Sequence, residues 1–166
     1  EIGAVNTICF EDGKKIGYNT DIYGFSESLK ASSINKIDSA MVLGTGGASK
    51  TVIYFCKKNN IPFKILSRKK SKDCISYKEI NHSFFEGNVL IVNCTPIGTY
   101  PKINECPDLP YNLLNKENIL FDLVYNPPET LFIKKGKEIG CKTLNGYKML
   151  KFQAEKSWNL WTKSFK

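Results

Sequence analysis

Three short stretches hold residue types that could bind a phosphorylated dinucleotide. The first is Met41-Val42-Leu43-Gly44-Thr45-Gly46-Gly47-Ala48-Ser49, an apolar run entering a glycine-rich turn. The helix-like pattern of Lys50, Thr51, Val52, Ile53, Tyr54 and Phe55 follows it. Glycine lets a backbone turn tightly and approach a pyrophosphate, and a helix N-terminus then offers free N–H groups and the positive end of a dipole. Gly44, Gly46, Gly47 and Ala48 are the candidate cradle. Ser49 stands where the dinucleotide fingerprint usually has a third small residue, Gly or Ala, so the match is imperfect. A glycine turn before a helix also occurs as a turn and nothing more.

The second stretch is Ser67-Arg68-Lys69-Lys70, which ends the apolar run Phe63-Lys64-Ile65-Leu66. It lies about twenty residues after the glycine turn, where an acid would accept from the ribose 2′-OH of NAD and an arginine would suit the 2′-phosphate of NADP. No acid is present. The Arg68 guanidinium can hold a phosphate with two parallel hydrogen bonds and stack on adenine, with Ser67 and Lys69 as further donors. This favours NADP over NAD; the alternative is a basic loop facing solvent. The third stretch, Asn93-Cys94-Thr95-Pro96-Ile97-Gly98, closes the apolar run Val89–Asn93. Ligands of open α/β sheets sit outside the carboxyl ends of the strands. Thr95 therefore stands either beside a ribose or nicotinamide, or in a simple strand-ending turn.

Elements must hold these stretches together. Apolar runs at 40–44, 63–67, 89–93, 119–124 and 142–144 alternate with helical stretches at 47–60 and near 129–139. Continuous apolar runs are buried on both faces, as in a parallel sheet. The alternation predicts an α/β, doubly wound (Rossmann-type) parallel sheet. Residues 4–10 and 14–18 flank Glu11-Asp12-Gly13 and predict a β-hairpin ahead of it. Thr20 or Asp21 can cap a helix that turns Phe25 and Leu29 inward. A long C-terminal helix closes the chain from Gly146 to Lys166, where Leu150, Ala154, Trp158 and Trp161 recur at helical spacing as a core-packing stripe.

The chain has 166 residues, enough for one domain with a full core. No apolar run approaches the roughly 20 residues that cross a bilayer, so no membrane is expected. The net charge of +8 permits an anionic ligand or a nucleic acid. Most lysines are scattered as on a solvated surface, and only Arg68-Lys69-Lys70 with Lys72 forms a compact basic cluster. No nucleic-acid partner is expected. The six cysteines form no C-x-x-C pair, and Cys56, Cys94 and Cys141 fall in apolar segments, which fits reduced thiols in a cytoplasmic protein and no metal. The single histidine, His82, lies in a polar turn without evident ligand partners. The chain begins at Glu1 without an initiator methionine and shows no signal pattern, as a fragment or a processed form would.

Six motifs in order resemble the shikimate dehydrogenase family from the first residues to the last. They are Gly3-Ala4-Val5-Asn6-Thr7, Asn19-Thr20-Asp21, the glycine turn, Asn93-Cys94-Thr95-Pro96-Ile97-Gly98, Asp122-Leu123-Val124-Tyr125-Asn126-Pro127, and Asn145-Gly146-Tyr147-Lys148-Met149-Leu150 with Gln153-Ala154. The resemblance implies an NADP-dependent enzyme that interconverts 3-dehydroshikimate and shikimate, as a monomer or homodimer. It implies that Asn6, Asp21, Tyr125 and Gln153 contact the substrate and that Asp21 is half of a catalytic Lys–Asp pair. It also places Gly44, Gly46, Gly47 and Ala48 at the pyrophosphate, Arg68 at the 2′-phosphate, Thr95 on the ribose side, and Gly146 and Met149 near the nicotinamide. Residues 1–20 would be the remnant of a substrate domain, 21–145 the NADP-binding domain, and 146–166 a helix packed toward the substrate domain.

Several features depart from the family pattern. The family carries an N-terminal substrate domain with a catalytic lysine in an Asn-Val-Thr-x-Pro-x-Lys stretch, and no lysine here matches it. Ile22 follows Asp21 where Gly is usual, Thr99 follows Gly98 where Met is common, and Ser67 stands in place of Asn. The expectation is a cofactor-domain fragment that binds NADP and reduces 3-dehydroshikimate poorly. The other readings are a quinate/shikimate enzyme of broader specificity that uses NAD, and a non-catalytic NADP-binding module.

Overall fold

Residues 1–68 and 71–164 are described by the computed structural model. The hairpin comes first: β1 (Thr7–Glu11) pairs antiparallel with β2 (Lys14–Tyr18). Asp12 and Gly13, both at positive φ, make the turn between them. Helix α1 (Asp21–Lys30) follows. The main sheet then collects β3 (Ser39–Leu43), β4 (Phe63–Ser67), β5 (Ile75–Ser76), β6 (Val89–Asn93), β7 (Ile119–Asp122) and β8 (Lys142–Leu144). Between them lie α2 (Gly47–Lys58) and α3 (Leu131–Ile139), and α4 (Tyr147–Ser164) ends the described chain.

The six strands run parallel in the order β5-β4-β3-β6-β7-β8. The chain leaves β3 toward one edge, then returns to β6 and builds toward the other. The reversal falls between β3 and β6, so the crevice that binds ligands in doubly wound sheets lies between the exits of these two strands.

Alternate side chains along each strand feed two cores. Ala40, Val42, Leu90, Val92, Ile119 and Phe121 face one side, where Phe25 and Leu29 of α1, Val52 and Cys56 of α2 and Met149 of α4 cover them. Phe25 stacks on Phe121 at 5.1 Å between ring centroids and meets Phe55 edge-on, also at 5.1 Å. Met41, Leu43, Val89, Ile91 and Leu120 face the other side, under Phe132 and Ile133 of α3 and the loop residues Phe85, Leu109 and Leu114.

Both predicted helical stretches form, as α2 and α3, and the other two connections carry no α-helix among the described residues. The β6–β7 connection contains Pro96, Pro101, Pro107 and Pro110, and only a 3-10 turn forms, at Tyr111–Leu113. Proline removes a helix donor and clashes with the preceding turn. The β4–β6 connection holds the two-residue edge strand β5 and two 3-10 turns, at Tyr77–Glu79 and His82–Phe85.

The expected core stripe of the last helix is turned outward. Leu150 is 37% exposed, Trp158 65% and Trp161 41%, and Ala154 is also exposed. The face that docks on α1 instead carries Met149, Gln153 and Ser157. Gly24 permits the approach, because a Cβ there would lie 2.6 Å from the Met149 carbonyl oxygen. Helical periodicity finds apolar stripes, but the close helix contact here runs through a small residue and a polar row.

Candidate active site

Four elements of the sheet and its helices end on one rim. At the exit of β3, Gly44 has φ of 106°, and its N–H donates to the Leu66 carbonyl at 2.8 Å, which ties the glycine turn to β4. A Cβ at Gly44 would meet the Thr95 methyl at 2.8 Å, so this glycine is required by the fold. Gly46 and Gly47 differ: a Cβ on either meets nothing within 4 Å, and neither has positive φ. Packing does not demand glycine at these two positions, whereas a ligand lying against the backbone would. Gly46 caps α2 without a side-chain bond, and no acid stands in the first turn, so the N–H groups and the dipole there face outward uncompensated.

Ser49, the imperfect member of the fingerprint, is accommodated by local bonding. It is buried, and its hydroxyl donates to the Gly46 carbonyl at 2.5 Å. Ala48 is half-buried beside it. At the exit of β4, Ser67 is half-buried and Arg68 exposed; Lys69 lies outside the described residues. Arg68 is close enough to act on Tyr77, whose hydroxyl burial pushes up to about 12 and whose rise the guanidinium opposes.

At the exit of β6, Thr95 does not aim its hydroxyl at the crevice. Its Oγ1 donates to Asn93 Oδ1 at 2.6 Å, and its N–H donates to the same oxygen at 3.1 Å. Burial and the neighbouring Asp122 carboxylate push the Cys94 thiol beside it far up, which disfavours the thiolate form. Gly146 is buried, and a Cβ there would overlap the Leu123 carbonyl at 2.1 Å, so its glycine serves packing against the β7 exit. Met149 belongs to the core at 8% exposure. A cavity of about 430 Å³ beneath Pro62, Phe63 and Phe84 opens at the other, N-terminal edge of β3 and β4.

A second polar group is built by the hairpin entry, α1 and α4. Asn6 Nδ2 donates to Asp21 Oδ1 at 2.9 Å and to Thr20 Oγ1 at 3.0 Å, and reaches Gln153 Oε1 at 3.5 Å. Asn6 Oδ1 accepts from the Thr20 N–H at 2.8 Å. Three segments far apart in the chain thus present an amide, a carboxylate and a second amide side by side. Burial raises the Asp21 carboxyl above its ordinary value, and the Asn6 hydrogen bond opposes the rise. Among the described residues no ammonium or guanidinium pairs with Asp21. Tyr125 is 50% exposed at the β7 exit and makes no hydrogen bond to this group.

The helix cap differs from expectation in its agent. Thr20 is the N-cap of α1 but makes no side-chain cap bond; Asn19 Oδ1 instead accepts from the Ile22 N–H at 3.2 Å. Thr20 is recruited inward, where its hydroxyl pairs with Ser157 Oγ at 2.9 Å, and Ser157 pairs with Thr7 Oγ1 at 2.7 Å. Thr7 is visible in the sequence only as the last letter of the Gly3–Thr7 motif, and Ser157 only as lying one helical turn beyond Gln153.

No protein-family model matches the chain. The shikimate dehydrogenase (NADP(+)) of Methanococcus maripaludis strain C7 is 38% identical over 175 residues, covering 97% of this chain and 62% of that protein. The crystal structure of a chorismate mutase/shikimate 5-dehydrogenase fusion from Clostridium acetobutylicum superposes with a TM-score of 0.86 at 35% identity, over 98% of this chain and 62% of the other. Shikimate 5-dehydrogenase from Thermus thermophilus, solved with NADP(H) and shikimate, gives 0.84 at 32% identity, over 98% and 63%. The chain thus spans about 62% of the length of the curated relatives it matches. Its strand order, its glycine turn and its similarity along nearly all of its length have one source: the chain belongs to the shikimate dehydrogenase family.

Proposed function

We propose that this chain is the NADP-binding part of a shikimate dehydrogenase, interconverting 3-dehydroshikimate and shikimate in a cytoplasmic setting. The observation that carries the reading is the shared rim: the glycine turn, Arg68 and Thr95 end the strands at the topological switch, and the exposed Asn6–Asp21–Gln153 group supplies a hydroxyl-binding wall. Residues 21–145 form the NADP-binding unit in this reading, with 1–20 and 146–166 turned toward the substrate.

The open Cβ positions at Gly46 and Gly47 and the uncompensated first turn of α2 fit a pyrophosphate. Arg68 would hold the 2′-phosphate, with Ser67 and Lys69 beside it. Bound NADPH supplies the hydride. Asn6 and Gln153 would orient the substrate hydroxyls. Asp21 Oδ1 takes the Asn6 hydrogen bond, which leaves Oδ2 for a substrate hydroxyl or for the cation that gives the ketone oxygen its proton. The resemblance assigns that cation to a lysine that none of the chain's lysines matches. The six free thiols suit a reducing compartment.

Titration with NADP and NAD, on the chain and on Arg68→Ala, tests the cofactor. The chain is expected to prefer NADP, and Arg68→Ala to lose about ten-fold or more of that affinity, the scale of a charge-assisted bidentate contact, with NAD unaffected. Equal affinity for the two cofactors overturns the assignment and favours the NAD-using quinate/shikimate reading, which an assay with quinate then checks. A steady-state assay with 3-dehydroshikimate is expected to show slow turnover for the chain alone. A rate near the common enzyme value of about 10 per second would show that a proton donor is already in place.

A further inference from the structure

We propose that Asp122 is a positioning residue for the nicotinamide half of the cofactor, acting through Asn93 on Thr95; the inference rests on the dinucleotide reading of the rim. Asn93 and Asp122 are partners in register across β6 and β7, at the last position of each strand, and both are fully buried. Two buried polar side chains at the end of a sheet core are costly unless every group is bonded. Here every group is.

Asn93 uses all four of its hydrogen-bonding positions. Its amide nitrogen donates to Asp122 Oδ1 at 2.9 Å and to the Ile97 carbonyl at 3.3 Å. Its amide oxygen accepts from the Thr95 N–H and hydroxyl. This pattern admits one amide orientation, because a flip would set the oxygen against the carboxylate and the nitrogen against two donors. Asp122 sets that orientation. Its Oδ1 also accepts from the Val124 N–H at 3.0 Å, and its Oδ2 accepts from the Thr130 hydroxyl at 2.5 Å. Three donors converge on it, which an ionised carboxylate satisfies and an amide does not. Thr130 in turn caps α3, accepting from the Ile133 N–H at 3.3 Å.

The line therefore runs from the cap of α3 through Asp122 and Asn93 to Thr95. Thr95 gives its hydroxyl proton inward to Asn93 and sets its methyl against the Gly44 turn. What Thr95 offers a ligand is the shape of its backbone and methyl, and that shape is held from beneath. None of these contacts reaches Arg68, at the end of β4 on the far side of β3. Loosening the line should disturb the nicotinamide half of the dinucleotide and spare the half that ends in the 2′-phosphate.

Binding of NADP and of 2′,5′-ADP, which carries the adenosine and 2′-phosphate alone, separates the two halves. Asp122→Asn is expected to weaken NADP roughly five- to ten-fold, the scale of one buried hydrogen bond, while 2′,5′-ADP binds as before. Thr130→Val is expected to repeat this selective loss and Thr130→Ser to restore it. This second pair serves if Asp122→Asn does not fold. An equal loss for both ligands would reveal a merely structural role and overturn the inference, as would no loss for either. An unsubstituted chain that binds neither ligand overturns the dinucleotide reading and this inference with it.

Discussion

The strand-end rim and the hairpin–α1–α4 wall are built by opposite means. The rim rests on the core: Gly44, Thr95 and the Asn93–Asp122 pair stand directly on strands buried on both faces. The wall rests on hydroxyls. Beneath Asn6 and Gln153 lie Thr7, Thr20 and Ser157, and beyond them the hairpin and α4 expose Val5, Ile8, Phe10, Trp158 and Trp161. In the proposed reading the rim takes the dinucleotide. The wall has the polar groups to orient a small polyhydroxylated substrate but only one side of a pocket. The proposed cofactor half is thus set by sheet geometry, and the proposed substrate half by a few side-chain bonds on a weakly supported edge.

Phe25 is the strongest link between the two halves. It leaves α1, stacks on Phe121 of β7 and is fully buried. Phe25→Ala is expected to cost about 3–5 kcal/mol, as for large core truncations. Denaturant unfolding followed by near- and far-ultraviolet dichroism should keep a single transition. Two separated transitions would show that the wall and the rim fold independently.

Asp122 and Asp21 offer a second comparison, a buried carboxyl in the rim and a half-buried one in the wall. Burial raises Asp122 to about 6, against its ordinary 3.8, although Thr130, Val124 and Asn93 all favour its ionised form. A folded-state value above the unfolded one means that folding favours the protonated acid. The resulting stabilisation is complete below the unfolded value and is lost as pH rises through about 6. Relative to Asp122→Asn, the unsubstituted chain should therefore lose about 2 kcal/mol between pH 4 and pH 7. Asp21→Asn should show the same sign, since burial raises Asp21 as well. An advantage of the unsubstituted chain over Asp122→Asn that grows with pH would contradict the burial argument.

The glycines separate fold from ligand within the rim. Gly44→Ala forces a side chain to positive φ and against Thr95, and is expected to cost about 1–3 kcal/mol. Gly46→Val meets no protein atom and should change stability by less than about 1 kcal/mol while abolishing most NADP binding. Thermal melts with and without NADP distinguish the two. A Gly46→Val chain that still gains thermal stability from NADP would remove the backbone cradle from the site.

The two halves are also unequally legible in the sequence. The strands at 63–67, 89–93 and 142–144 form at the predicted residues, because continuous apolar runs bounded by turns admit few alternatives. The glycine turn and Arg68 are visible because glycines ahead of a helix, and an arginine about twenty residues on, are particular residues at a particular spacing. The wall is visible only through family resemblance: no periodicity brings Asn6, Asp21 and Gln153 together across three elements. The outward face of α4 misleads because Leu150, Trp158 and Trp161 have the spacing of a core stripe, while the true docking face sets Met149 and Gln153 against Gly24 and Ser157 against Thr20. Asn93 and Asp122 are in view as motif letters, but their bond depends on register across two strands, which one-dimensional spacing does not contain.

Ser157 tests the wall with the smallest expected effect. Its hydroxyl sits between Thr7 and Thr20 and donates to the Gln153 carbonyl at 3.0 Å or to one of the two threonines, since it has one proton to share among them. Ser157→Ala removes no volume that the neighbours need, but leaves two buried threonine hydroxyls short of a partner. The expected cost is about 1 kcal/mol by denaturant unfolding. The Thr20 hydroxyl would then keep Asn6, whose Nδ2 lies at 3.0 Å and Oδ1 at 3.3 Å, Gln153 Oε1 at 3.3 Å and Thr7 Oγ1 at 3.4 Å. If the hydroxyls brace the wall, the Asn6 side-chain amide resonances shift in Ser157→Ala, NADP affinity stays the same, and any shikimate affinity falls. If NADP affinity falls instead, the wall and the rim are mechanically one, and the division between a sheet-built half and a side-chain-built half does not hold.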